Sequence, residues 1–406
     1  MKQNINKNGN AGAAENTRKN SFLTMFVCIF LAIVLVFGIV VGAIVMLRDS
    51  RACAKYDGVM VDEGVTVYLA SRYKTLYLQS LTSSGVNAMD SPVFWAKDAG
   101  DGKTYGELFN EGLKEYVASV IVGNHIFESY SSYTAEDAMV VARTIEEILE
   151  LKAGGSVAEF NRLTERFGFE YTDFELATEM MYKAQKAQSL VYGADGTNLK
   201  NFPEQCEEYL GKYVHVSLLF LRDSTKLVKD DNGIVDEVPL TDDEKATRRE
   251  TARILREAIE ARRTESADEG WITPEMFELY LKSSDGDSEM YSKGYYFRIG
   301  ASATAEFASE YPEIVEAALS LEMGEYAEAD CNIGTCFIYR YEPKEGAYSD
   351  SNNLFFSDFY VDASDYFYTE TLRELSVLVE FTELYYAIDT VAVPKNYEFY
   401  VKSWKK

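Results

Sequence analysis

Histidine is nearly absent from this chain, which holds two in 406 residues, His125 and His215. Two imidazoles exclude a three-histidine zinc site. Cysteine is also sparse: five residues, with Cys28 inside an apolar run and Cys53 and Cys206 isolated, do not make a disulfide framework. The pair in Cys331-Asn-Ile-Gly-Thr-Cys336 flanks a candidate hairpin turn and is the one spacing that could close a small disulfide. The sequence has no Cys-x-x-Cys pair, no Gly-x-Ser-x-Gly elbow, no phosphate loop and no Gly-x-Gly-x-x-Gly. Hydrolase, metalloenzyme and dinucleotide chemistry therefore have no constellation to rest on. Positive charge is short as well. The net charge of −26 excludes binding to nucleic acid or to an anionic bilayer through the overall field. His125, in Val-Gly-Asn-His-Ile-Phe on a helical stretch, has no ligand partner in view and reads as structural.

Residues 22–47 lack Asp, Glu, Lys, Arg, His, Asn, Gln and Pro altogether. About 26 residues of helix reach roughly 39 Å, more than the ~30 Å hydrocarbon core, so the run predicts a transmembrane helix. It is too long for the apolar core of a cleaved signal peptide, although Ala52-Cys53-Ala54 imitates a cleavage site. Lys2, Lys7, Arg18 and Lys19 against Glu15 place residues 1–21 in the cytoplasm and the rest outside a cell membrane crossed once. The outer part, roughly 360 residues, has room for two or three domains.

Residues 48–61 read as a connector and 84–103 as a polar loop; otherwise 63–210 read as helices with Gly-rich breaks. Thr104/Glu107, Thr134/Asp137 and Ser156/Glu159 supply their caps. The pattern then changes. Tyr213–Leu221 is a strand, 222–240 a charged loop, and Thr241-Asp-Asp-Glu244 caps a long amphipathic helix. A helix starts at Thr273-Pro274, strands fall at 293–299, 326–329 and 336–341, and a helix at 311–321. Residues 351–406 return to helix, and the closing Tyr397–Trp404 stretch is expected to pack back on the first helices. The fold class is α+β: a helical module over 48–210, a mixed domain over 211–345 with a four-stranded sheet, and a returning segment over 346–406.

Within that mixed domain, Ile314-Val-Glu-Ala-Ala-Leu-Ser-Leu-Glu-Met-Gly-Glu325, the strand Cys336–Tyr341 after Gly334, Val214–Leu221, Ser283-Ser-Asp285 and Ser292-Lys-Gly294 together resemble a parvulin-type (PpiC-type) peptidyl-prolyl isomerase domain. The layout resembles membrane-attached bacterial foldases of the PrsA/SurA kind. Ser217 and Cys336 stand where the family carries histidines, and Asp285 at its acidic or thiol position. The resemblance implies these three as candidate catalytic residues and Phe297, Ile314 and Phe337 as the apolar wall for a proline ring. It implies no cofactor or metal, and unfolded or proline-containing secreted polypeptides as partners. Isomerisation breaks no covalent bond; its ~18–20 kcal/mol barrier comes from amide resonance, and binding the twisted amide lowers it. The expected function is an anchored extracytoplasmic foldase whose isomerase activity is in question. The other reading is a non-catalytic module for one envelope or secreted partner.

Overall fold

The computed structural model describes residues 50–100, 102–229, 235–265, 277–278, 281, 284–285 and 293–404. The apolar run 22–47 and the start of the helix expected at Thr273-Pro274 lie outside them. Among the described residues no helix is long and apolar enough to cross a membrane. The fold is mixed helix and sheet, with several small sheets. It divides into two units, one comprising residues up to Ala187 together with Thr371 onward, the other Gln188–Glu370.

In the first unit the stretch expected to be a connector forms a hairpin. Strands Ala54–Tyr56 and Val59–Val61 join through Asp57-Gly58, both at positive φ (42° and 85°), as a two-residue type I′ turn needs. Glu380–Phe381 pairs with Ala54 and Lys55 to complete a three-stranded sheet. A second small hairpin, Asp98–Gly100 with Lys103–Thr104, lies in the expected loop.

The helices follow. Glu63–Ser83 starts where the Asp62 carboxylate accepts from the Val65 N–H. Reciprocal capping boxes open Tyr105–Tyr130 (Thr104/Glu107) and Ala135–Ala153 (Thr134/Asp137). Asp137 is buried where its helix meets Tyr171–Tyr192 and takes the Tyr182 hydroxyl at 2.7 Å and the Lys186 ammonium. Burial pushes this carboxyl up, but the bonds from Lys186, Thr134 and Tyr182 outweigh it and hold it well below the usual range. His125 sits on the Tyr105–Tyr130 helix with Nδ1 3.4 Å from the Asp57 carboxylate and its ring edge-on to Tyr56.

Past the Glu380–Phe381 strand the chain makes one short helix, Glu383–Ala387, and then runs without regular structure. This run is laid against the first helix by Lys74, which donates to the carbonyls of Val391 and Val393, both at 2.6 Å. Thr75 exchanges bonds with the backbone of Asn396. Phe399 packs on Phe160 and Phe167, and Trp404 on Tyr182.

The second unit holds a four-stranded antiparallel sheet in the order Tyr295–Phe297, Val214–Arg222, Gly334–Tyr341, Tyr326–Cys331. Val214–Arg222 is apolar on both faces because both are covered. Leu219, Leu221, Phe337 and Tyr339 pack against Ala252, Leu255 and Ile259 of the helix Asp242–Glu265, with Phe277 and Leu281. On the opposite face Ile314, Val315 and Ala318 of Pro312–Ser320 are buried, and Phe220 meets Tyr311 at the start of that helix. The charged stretch expected as a loop forms a hairpin instead, Thr225–Lys229 with Val235–Pro239. Cys331 pairs opposite Gly334 and Cys336 opposite Ala329, two rungs away, and both are free thiols. The segments entering and leaving the sheet meet through Tyr209, Tyr213, Phe356 and Phe359. There Arg298 lies over the Tyr209 ring and pairs with Asp362 at 2.9 Å.

Candidate functional site

The ladder between the two central strands decides how the sequence-chosen residues are grouped. Ser217 is directly opposite Tyr339, and Cys336 is directly opposite Phe220. Residues paired across a sheet share a face, and neighbours along a strand alternate. Ser217 therefore lies on the face of Leu219, Phe337 and Tyr339, whereas Cys336 lies on the other with Phe220 and Ile338. Phe297, opposite Val214, falls on the Cys336 face, and Ile314 belongs to the helix covering that face. The six candidates thus divide as Ser217 with Phe337, Cys336 with Phe297 and Ile314, and Asp285 at the strand edge.

Both faces are closed. Ser217 is 5% exposed, and Cys336, Phe297, Ile314 and Phe337 are at 0%. Burial pushes the Cys336 thiol well above its ordinary range, so it is held as the neutral thiol.

Asp285 extends the edge of the central strand beyond the end of Tyr295–Phe297. Its N–H donates to the Phe220 carbonyl at 2.9 Å, and its carboxylate accepts the Arg222 N–H at 3.0 Å and pairs with Arg248. The Ser284 hydroxyl accepts the Phe220 N–H at 3.0 Å. Burial raises the Asp285 carboxyl, against the pull of the Arg222 N–H and Arg248. Ser284 and Asp285 thereby satisfy backbone groups that a full-length edge strand would otherwise hold. Arg222 also pairs with Glu237 at 2.8 Å, tying the inserted hairpin to the same corner.

His215 occupies the end of the Ser217 face. Its ring stacks on Tyr296 (4.4 Å between centroids, 4° between planes) and leans on Tyr341. Nδ1 is 2.9 Å from the Glu342 carbonyl, so in the neutral ring the proton sits on Nδ1. Burial lowers its pKa to about 4 despite the backbone bonds at Glu342 and Lys293. Gly294, of the Lys-Gly stretch, is pressed on the other side. Its φ is +84°, and a Cβ there would lie 2.1 Å from His215 Nε2. Gly294→Ala is expected to cost about 2 kcal/mol or more in urea unfolding, from the left-handed backbone and the ring contact together. The sequence showed His215 and Gly294 but not that they touch.

The Met323-Gly-Glu325 segment sets the last strand in register: the Gly324 N–H donates to the Arg340 carbonyl and the Arg340 N–H to the Glu325 carbonyl, both at 3.0 Å. Among the described residues no group of three or more His, Cys, Asp or Glu could hold a metal ion.

What this unit defines is an antiparallel α+β domain covered by helices on both sheet faces. No family model matches the chain, and no curated protein matches it. Solved structures similar to it include PrsA from Bacillus subtilis, at 17% identity and TM-score 0.20, over 74% of this chain and 94% of that one. Peptidylprolyl isomerase (PrsA) from Bacillus cereus is similar at 16% identity and TM-score 0.21, over 69% of this chain and 91% of that one. Peptidylprolyl isomerase (PrsA) from Bacillus anthracis is similar at 16% identity and TM-score 0.21, over 65% of this chain and 95% of that one.

Proposed function

We propose that the chain is a membrane-anchored extracytoplasmic folding factor of the peptidyl-prolyl isomerase type that holds non-native secreted polypeptides and no longer catalyses isomerisation. Residues 22–47 are its anchor and the acidic remainder works outside the cell. The observation that carries the loss of turnover is the separation of Ser217 and Cys336 onto opposite, covered faces. Isomerisation needs one dry pocket that receives a proline ring and holds the twisted amide. Two residues on opposite sides of a sheet cannot line it together. The parvulin-like stretches support the lineage of the domain through their structural work: the Gly324-Glu325 turn and the packing of Gly294 on His215.

The test uses the full chain in detergent. A protease-coupled proline-peptide assay is expected to show no acceleration over the spontaneous rate, while aggregation of several unrelated unfolded clients is suppressed at stoichiometric protein. Acceleration abolished by Cys336→Ala or Ser217→Ala would overturn the loss of catalysis. Protection of no client, with one strong pulldown partner, would favour the dedicated binding module.

A further inference from the structure

The three-stranded sheet fixes how soon after the apolar run the chain is folded. Ala52, Cys53 and Ala54 are buried, Ala54 pairs with Phe381, and Thr382 donates its N–H to the Cys53 carbonyl (2.9 Å) and its hydroxyl to the Ala52 carbonyl (2.7 Å). Ala52 is five residues beyond Leu47, a reach of at most about 18 Å fully extended. The surface next to Ala52 is therefore confined to the neighbourhood of the bilayer if residues 22–47 span it.

That surface has a distinctive make-up. The helix Glu383–Ala387 follows Thr382 directly and turns Tyr385 inward, leaving Leu384 44% and Tyr386 64% exposed. From Thr382 to Tyr386 the helix advances only about 6 Å. Lys114 lies over the rings of Phe381 (4.9 Å) and Tyr386 (5.7 Å) and donates to the Tyr386 hydroxyl at 3.1 Å. Arg51 is exposed on the connecting stretch. Leucine, a tyrosine with a wet tip and long cationic side chains are the residues that settle at the level of lipid headgroups.

We propose that the Glu383–Ala387 helix, through Leu384, Tyr386 and Lys114, docks on the outer leaflet of the bilayer that holds residues 22–47. This rests on the anchored reading above. The net charge of the chain and the exposed Glu380 and Glu383 oppose approach to an anionic surface; Lys114 and Arg51 offset those two carboxylates, and Leu384 and Tyr386 supply the attraction in one orientation. The first unit is then seated on the membrane instead of swinging on a tether.

The test uses the full chain in vesicles of phosphatidylcholine and phosphatidylglycerol, with or without brominated acyl chains. Leu384→Trp and Tyr386→Trp each add one indole to the three tryptophans already present. The added emission is expected to be lost in brominated vesicles and kept in unbrominated ones. Lys114→Gln should weaken that loss when phosphatidylglycerol is present and leave it unchanged in phosphatidylcholine alone. Equal added emission in both vesicle types, with the chain still resisting alkaline carbonate extraction, overturns the docking and leaves the anchor standing. Release by carbonate overturns the anchored reading, and the docking with it. A blue shift that grows with protein concentration without bromine quenching assigns the face to a second copy, and also overturns the docking.

Discussion

Lys74→Ala should free the carboxyl-terminal segment from the first helix and destabilise its unit by about 2–4 kcal/mol, because the carbonyls of Val391 and Val393 lose their donor while the Asp90 carboxylate stays in contact with water. Lys74 is 1% exposed, yet its ammonium has a full set of partners: the carbonyls of Val391 and Val393, the Asp90 carboxylate at 3.0 Å and the face of Trp95. Burial lowers its pKa, opposed by Asp90. Among the described residues no other donor reaches those two carbonyls, and an unpaired buried carbonyl costs about 1–3 kcal/mol. Lys74→Met separates charge from packing, because it keeps the apolar stem under Trp95 and removes only the ammonium. Both variants should become sensitive to limited proteolysis within 389–401, with Met closer to the parent in urea. A Lys74→Met protein with unchanged stability and an uncut terminus would show that Phe399 and Asn396 hold the segment alone.

This clamp illustrates what the sequence could and could not say. The Tyr397–Trp404 stretch was expected against the first helices because its aromatic surface needs cover. The residue that fixes it is a lysine, and nothing local distinguishes a buried lysine from a solvated one. Capping boxes were readable because their rule spans four residues: Thr104/Glu107, Thr134/Asp137 and Thr241/Glu244 all form reciprocal caps. The run Val214–Arg222 was readable because a strand buried on both faces is apolar at nearly every position.

The sheet Ala54–Tyr56, Val59–Val61 and Glu380–Phe381 was not readable. Strands of two or three residues show no alternation, and the third partner lies more than three hundred residues away. The pairing of Thr225–Lys229 with Val235–Pro239 was hidden by the charges along that stretch. The division of the candidate site has a similar origin. The hairpin at Asn332-Ile333 fixes the last two strands against each other, but the pairing of Ser217 with Tyr339 joins segments over a hundred residues apart. A slip of one residue would have put Ser217 on the Cys336 face. Side-chain identity alone does not set that register; the packing of the two covering helices does.

Acidifying the protein from about pH 7.5 to about pH 5 should cost the second unit about 2 kcal/mol through His215 alone. Its pKa is 6.5 for an ordinary imidazole and about 4 in the fold. The folded state binds its proton later than the unfolded chain, so the unfolded state gains protons over this window. The contribution is fully present above pH 6.5 and is lost as pH falls toward 4. The physical cause is a ring enclosed between Tyr296 and Tyr341 and pressed by Gly294, with Lys344 disfavouring its charge. Asp137 and Glu244, held below the ordinary carboxylate range, lose their contributions only at lower pH. Asp285 and Asp173, raised by burial, act with the opposite sign, but they are common to parent and variant and cancel. His215→Phe keeps a flat ring against Tyr296 and carries no proton. Its unfolding midpoint in urea, although lower at neutral pH for want of the bond to Glu342, should be flatter across the window than the parent's. Parallel curves for the two proteins would mean that His215 takes up its proton in the fold as it does in the unfolded chain, the carbonyls of Glu342 and Lys293 offsetting its burial, and a parent that gained stability over the variant on acidification would mean a ring protonated in the fold.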